Sequence, residues 1–188
     1  MSRIGNSPIH IPAGVTVEKI DQTINISGPK GSLRIEVDPE VNVELEGAIL
    51  MVKRKKDDKR IRAVHGLVRS LLNNMVKGVT EGWSKSLELV GVGFRAQSSG
   101  DKIILNIGYS HPVEINAPEG INFEISDNTK IKVSGIDKQL VGQIAANIKA
   151  VRVPDVYKGK GIIYEGEYIR KKVGKSAKVG VAVGAGGK

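Results

Sequence analysis

The sequence predicts an α+β fold: two similar tandem domains, each a small mostly antiparallel sheet packed with one helix, plus a basic C-terminal tail. Three observations predict it. Short apolar–polar alternations, punctuated by Gly, Pro and Asp turns, give way to one stretch of helical periodicity. That order, strands and then a helix, occurs twice. The charge is also gathered at one end. Residues 149–188 carry ten Lys and Arg against three Asp and Glu, a surplus of seven in a net charge of +9.

Residues 1–14 hold Pro8, Pro12 and Gly14, the composition of an extended arm. Val15–Ile20 and Thr23–Ser27 alternate as half-buried strands do. Gly28–Gly31 is a turn, and Leu33, Ile35 and Val37 alternate until Asp38-Pro39 breaks the run. Val41, Val43 and Leu45 make the next strand, Glu46-Gly47 a turn, and Ile49–Val52 another strand. Lys53–Arg60 is a charged hairpin or loop in which solvation accounts for Asp57 and Asp58. Ile61, Val64, Val68, Leu71 and Met75 then recur at steps of three and four, which is helical, and Gly78 is placed to end that helix.

A second set follows Val79–Gly82. Leu87–Val90 is a strand, and Phe94–Gln97 with Ile103–Ile107 form a hairpin around Ser98–Asp101. Val113 and Ile115, then Ile121, Phe123 and Ile125, then Ile131 and Val133 continue the alternation. Ser134 and Asp137 fit a capping box before a helix with Leu140, Val141, Ile144, Ile148 and Val151 on its apolar face.

The halves match position by position. Ile24 and Ile26 pair with Ile103 and Leu105, Ile35 and Val37 with Val113 and Ile115, and Val43 and Leu45 with Phe123 and Ile125. The Pro39-Glu40 turn matches Pro118-Glu119, and helix residue Gly66 matches Gly142. The expected division is residues 1–82, then 83–170 as a duplicate of the first, then a tail over 171–188.

Composition removes several function classes. The 188 residues include no cysteine, which excludes disulfides, thiolate metal sites and cysteine catalysis. His10, His65 and His111 stand alone, without partners at ligand spacing. The start of the chain shows no secretory signal, and no apolar run approaches a membrane span, so a soluble intracellular protein is expected. Gly91–Ala96 fits the G-x-G-x-x-A pattern, but a strand rather than a helix should follow, so a bent strand is the better reading. Gly174-Lys175-Ser176 lacks the first glycine of a phosphate loop, since Ile169 stands there.

A polyanion partner explains more. Arg152–Ile163 reads R-V-P-D-V-Y-K-G-K-G-I-I. Pro154 should stop the preceding helix. Arg152, Lys158 and Lys160 supply charge, Gly159 and Gly161 allow close backbone approach, and Tyr157 offers a ring to stack on a base or bond to ribose. In the tail, Arg170, Lys171, Lys172, Lys175 and Lys178 repel one another and should order only against counter-charge. Residues 179–188 are Gly/Ala/Val-rich, of low complexity, and expected to be disordered. On the first helix Arg62, His65, Arg69 and Asn73 share a face able to donate to phosphate or ribose; an ordinary exposed helix face is the alternative.

Taken in order, these stretches resemble the family of the sixth protein of the large ribosomal subunit, bacterial type, from about Ser2 to about Lys175. The residues carrying the resemblance are Ser2–Gly5 with Ile11–Val15, Gly78–Gly82, Leu87–Ala96, Ser110–Val113, Asp137–Gln139 with Gly142-Gln143, and above all Pro154–Ile162, P-D-V-Y-K-G-K-G-I. The resemblance implies two α+β domains from a duplication and a structural role without catalysis or cofactor. It implies binding to 23S rRNA, mostly through the C-terminal half, beside neighbouring large-subunit proteins. It also implies a place at the base of the stalk near the sarcin–ricin loop, where translational GTPases dock. The expected location is the cytoplasm, in the ribosome, with bacterial and organellar ribosomes both compatible. The alternatives are a free-standing RNA-binding factor and an enzyme using Gly91–Ala96 as a nucleotide loop.

Overall fold

A computed structural model describes residues 4–174. The expectations for Lys175, Lys178 and the Gly/Ala-rich end lie outside those residues.

The first half contains β1 (Ile9–His10), β2 (Thr16–Ile20), β3 (Thr23–Gly28), β4 (Gly31–Glu36), β5 (Val41–Glu46), β6 (Ile49–Arg54) and α1 (Lys59–Thr80). They make two antiparallel three-stranded sheets, β2-β3-β4 and β1-β6-β5, rather than one. Alternation sends Ile24 and Ile26 of β3 and Leu50 and Val52 of β6 inward. Helix α1 covers both strands with Ile61, His65, Val68, Leu72, Met75, Val76 and Val79. Each fully buried Leu or Ile here contributes roughly 1.5–3 kcal/mol.

The charged run before α1 is divided between elements. Lys53 and Arg54 finish β6, and Asp58 caps α1 by accepting from the Arg60 amide at 3.3 Å. Asp57 pairs with Arg54 at 3.1 Å and stands 3.9 Å from Arg62. Gly78 does not end the helix. It lies buried inside α1, which runs on to Thr80, and tertiary contact rather than capping explains the glycine.

The second half contains β7 (Trp83–Val90), β8 (Arg95–Ser99), β9 (Lys102–Asn106), β10 (Val113–Asn116), β11 (Ile121–Ser126), β12 (Lys130–Gly135), α2 (Lys138–Val151) and β13 (Gly161–Tyr164). Its sheets are β10-β9-β8 and β11-β12-β7-β13, again wholly antiparallel. Asp137 caps α2 through the Gln139 amide at 2.8 Å, while Ser134 belongs to β12 and takes no part in the cap.

Strand order makes the repeat explicit. β1-β6-β5 corresponds to β7-β12-β11, and β2-β3-β4 to β8-β9-β10. Cross-strand register corrects two of the residue matches. Ile24 and Ile26 face Ile35 and Leu33, and Ile103 and Leu105 face Ile115 and Val113. Leu33 and Ile35, not Ile35 and Val37, therefore take the places of Val113 and Ile115. Counted from Asp58 and Asp137, Gly66 and Gly142 also fall at different helical positions. A period of two repeats itself at every shift of two residues, so alternation alone leaves register open. Among the described residues β13 has no counterpart in the first half; it closes the free edge of β7.

Each half has its own apolar core, one running from Ile9 to Val79 and the other from Leu87 to Ile162. Ile136 follows β12 yet packs on the first core. Around it Trp83 Nε1 donates to Asn74 O at 3.0 Å, and Lys138 Nζ lies 4.4 Å from the Trp83 ring centroid. Lys30 Nζ donates to the carbonyl of Glu81.

Candidate nucleic-acid interface

The segment after α2 is built by backbone hydrogen bonds. Asp155 N donates to Lys160 O at 2.9 Å, and Gly159 N donates to Asp155 O at 2.8 Å, which closes a tight turn. The Asp155 carboxylate accepts from the Lys158 amide at 3.0 Å. That bond, foremost, holds the carboxyl below its usual pKa. Ile162 N donates to Arg152 O at 2.9 Å, and β13 then pairs with β7 from Gly161 opposite Val90 to Tyr164 opposite Leu87. Ile162 is fully buried and anchors the turn to the second core.

The chain returns alongside this turn. Glu167 accepts from Lys149 Nζ at 2.6 Å and from the Tyr164 amide at 3.0 Å. Its carboxyl is lowered below the usual range, chiefly by Lys149. Lys172 N donates to Val156 O at 2.9 Å, pinning the 170–172 stretch beside the turn. The result is a fixed ledge with Lys158, Lys160, Arg170, Lys171 and Lys172 exposed on it. Among the described residues no carboxylate lies within ion-pair distance of any of these five side chains. Tyr157 stands among them, exposed.

The glycines serve another purpose than the one expected. Gly159 and Gly161 are buried, and the room they make is filled by this chain itself. Gly159 has φ 73°, with the Lys171 side chain lying over it; Gly161 has φ 151° and leaves no space for a β-carbon beside Pro154.

Arg152 is likewise engaged inside the protein. Its guanidinium donates to Ile107 O at 2.6 Å and lies against the rings of Phe94 and Tyr109, at 5.1 and 5.2 Å from their centroids. Arg69 is apart from the ledge, donating to Ser7 O at 3.1 Å, Ser7 Oγ at 3.3 Å and Pro8 O at 3.2 Å, so it fastens the N-terminal arm to α1. His65 leaves the expected donor face altogether. It is buried, with Nε2 2.8 Å from Val52 O. The structure thus gathers the lysines, Arg170 and Tyr157, and sets Arg69 and Arg152 to holding the frame.

The sequence pattern does not single out Tyr168. The residue is 88% exposed and lies close in sequence to Arg170 and Lys171. Its place in Y-I-R-K-K is the one signal that marks it in the sequence. The Gly91–Ala96 stretch leads from β7 into the first residues of β8, and no helix opens from it. Among the described residues no group of three or more His, Asp and Glu could hold a metal, and no helix is long and apolar enough to cross a membrane.

Comparison with known proteins agrees with this arrangement. The chain matches the family of ribosomal protein L6 over residues 11–82 and again over 90–165, one match within each half. It is 56% identical to large ribosomal subunit protein uL6 of Halalkalibacterium halodurans over 178 residues, 95% of this chain and all of that one. The protein of the same name from Listeria monocytogenes is 55% identical, and that from Shouchella clausii 52%, with the same coverage. Two α+β units of one strand order, a basic ledge on the second, and matches of this extent lead to one conclusion: the chain belongs to the ribosomal protein L6 family.

Proposed function

We propose that this chain is a structural constituent of the large ribosomal subunit that binds 23S rRNA through the ledge formed by residues 154–172. The observation that carries it is the set of five exposed cations that, among the described residues, have no carboxylate within ion-pair distance, held on a backbone fixed by β13 and the Lys172–Val156 hydrogen bond. Free positive charge on a preformed surface gains by displacing counterions from phosphates, at little cost in ordering. Tyr157 adds a ring for a base or ribose. Gly159, Gly161 and Arg152 act through the shape of the ledge, and Arg69 through the arm. Lys175 and Lys178 extend the positive charge along the sequence.

The division proposed is 1–82 and 83–170, with the second unit as the main RNA contact and 171–188 as its basic extension. In that role the protein does no chemistry. Its neighbours are rRNA and other large-subunit proteins, in a cytoplasmic ribosome, at the base of the stalk close to where translational GTPases dock. Titration of the full chain with 23S rRNA at several salt concentrations tests the reading. Binding that weakens steeply with salt supports it, and no binding at low salt removes it.

A further inference from the structure

The chain has four tyrosines, and the fold divides them into two pairs. Tyr164 is covered by two cations, Lys85 Nζ at 4.7 Å and Lys149 Nζ at 4.5 Å from its ring centroid. Tyr109 faces the Arg152 guanidinium and donates its hydroxyl to Val151 O at 2.8 Å. Both rings are engaged by groups of the second unit itself, Tyr109 while 49% exposed. Tyr157 and Tyr168 are different. Among the described residues no cation covers either ring, and no hydrogen bond engages either hydroxyl. Tyr157 is 56% exposed and Tyr168 is 88% exposed.

These two rings stand on the ledge that carries the unpaired cations. Tyr157 adjoins Val156, whose carbonyl accepts from Lys172, and the four residue steps from Tyr168 to Lys172 span at most about 14 Å. Both rings are thus within reach of one short run of nucleotides.

We propose that Tyr157 and Tyr168 form a stacking platform for unpaired bases, so that the ledge takes looped or single-stranded RNA rather than the side of a duplex. The inference rests on the RNA-binding reading above and names the form of RNA bound. In a duplex the bases stack on one another and offer no open face to a side chain, and lysines alone suffice for its phosphates. Unstacked bases present a π-face that an exposed ring can cover, while neighbouring cations hold the backbone. Tyr157 is tethered within the closed turn, and Tyr168 is braced through Glu167, so neither ring has to be ordered from a free chain.

The test uses the full chain and two labelled RNAs with equal numbers of phosphates, one a single strand and one a blunt duplex. Wild type, Tyr168→Ala, Tyr157→Ala and Tyr168→Phe are titrated with each at fixed salt. Each alanine variant should bind the single strand roughly 5- to 100-fold more weakly and the duplex within about twofold of wild type, while Tyr168→Phe retains affinity for both. Alanine variants that lose nothing on the single strand, or lose equally on both RNAs, overturn the platform and leave the RNA-binding reading standing. A wild type that binds neither RNA at low salt overturns that reading, and the platform with it.

Discussion

The carbonyl oxygen of Ile136 occupies the space that a β-carbon on Gly78 would need. One residue lies inside α1 and the other in the link between β12 and α2, so this contact joins the two halves. Gly78→Ala forces the link outward, although Ala is the better helix former. We expect a loss of about 1–3 kcal/mol in urea unfolding, as for other overpacked sites. Gly142→Ala is the control. Nothing lies within 4 Å of a β-carbon there, so the same exchange in α2 should stabilise by about 0.5–1 kcal/mol. Equal effects at the two sites would show that the junction is not tight.

Lys158→Ala combined with Lys160→Ala removes two exposed charges and no buried contact. The unfolding midpoint should stay put. The slope of log affinity for 23S rRNA against log salt should flatten by about one to two units. An unchanged slope would exclude both lysines from phosphate neutralisation.

Arg152 separates a framing role from a contact role. Arg152→Ala deletes the hydrogen bond to Ile107 and the stack against Phe94 and Tyr109. Stability should fall by about 2 kcal/mol, the scale of a charge-assisted hydrogen bond, while the salt slope holds. Arg152→Lys should recover little, because an ammonium cannot lie flat between rings. A flattened slope with full stability would place Arg152 on the RNA instead.

Glu167 predicts how stability responds to acid. Lys149 first, and then the Tyr164 amide, hold its carboxyl below the ordinary value of 4.5. The unfolded chain therefore binds its proton at a higher pH than the folded chain does. The stabilisation is complete above that ordinary value and is lost as pH falls through the lowered one. Glu167→Gln should remove this part of the acid sensitivity, seen as a shallower fall in unfolding midpoint below about pH 4.5. Asp155, lowered chiefly by the Lys158 amide, and Glu44, lowered chiefly by the hydrogen bond from Lys53, titrate in the same direction and remain as the residual.

What the sequence determined by itself was the class of each element and the location of the charge. Alternation in Ile24–Ile26 and Ile103–Leu105, and three–four spacing from Ile61 to Met75, are local properties, and burial of one face follows from them directly. The excess of Lys and Arg after residue 149 needs no fold to be seen. The string P-D-V-Y-K-G-K-G-I marked the ledge before its shape was known.

Tertiary structure decided the rest, because the deciding contacts join residues far apart in the chain. Whether Gly78 ends a helix or admits Ile136 depends on a link almost sixty residues later. Gly161–Tyr164 is a strand only because β7 offers an edge to pair with, and Gly161 is glycine because Pro154 lies against it. Arg69, Arg152 and His65 look alike as donors in sequence. Ser7, Ile107 and Val52 take them into the frame, whereas among the described residues the side chains of Lys158, Lys160, Arg170, Lys171 and Lys172 have no such partner.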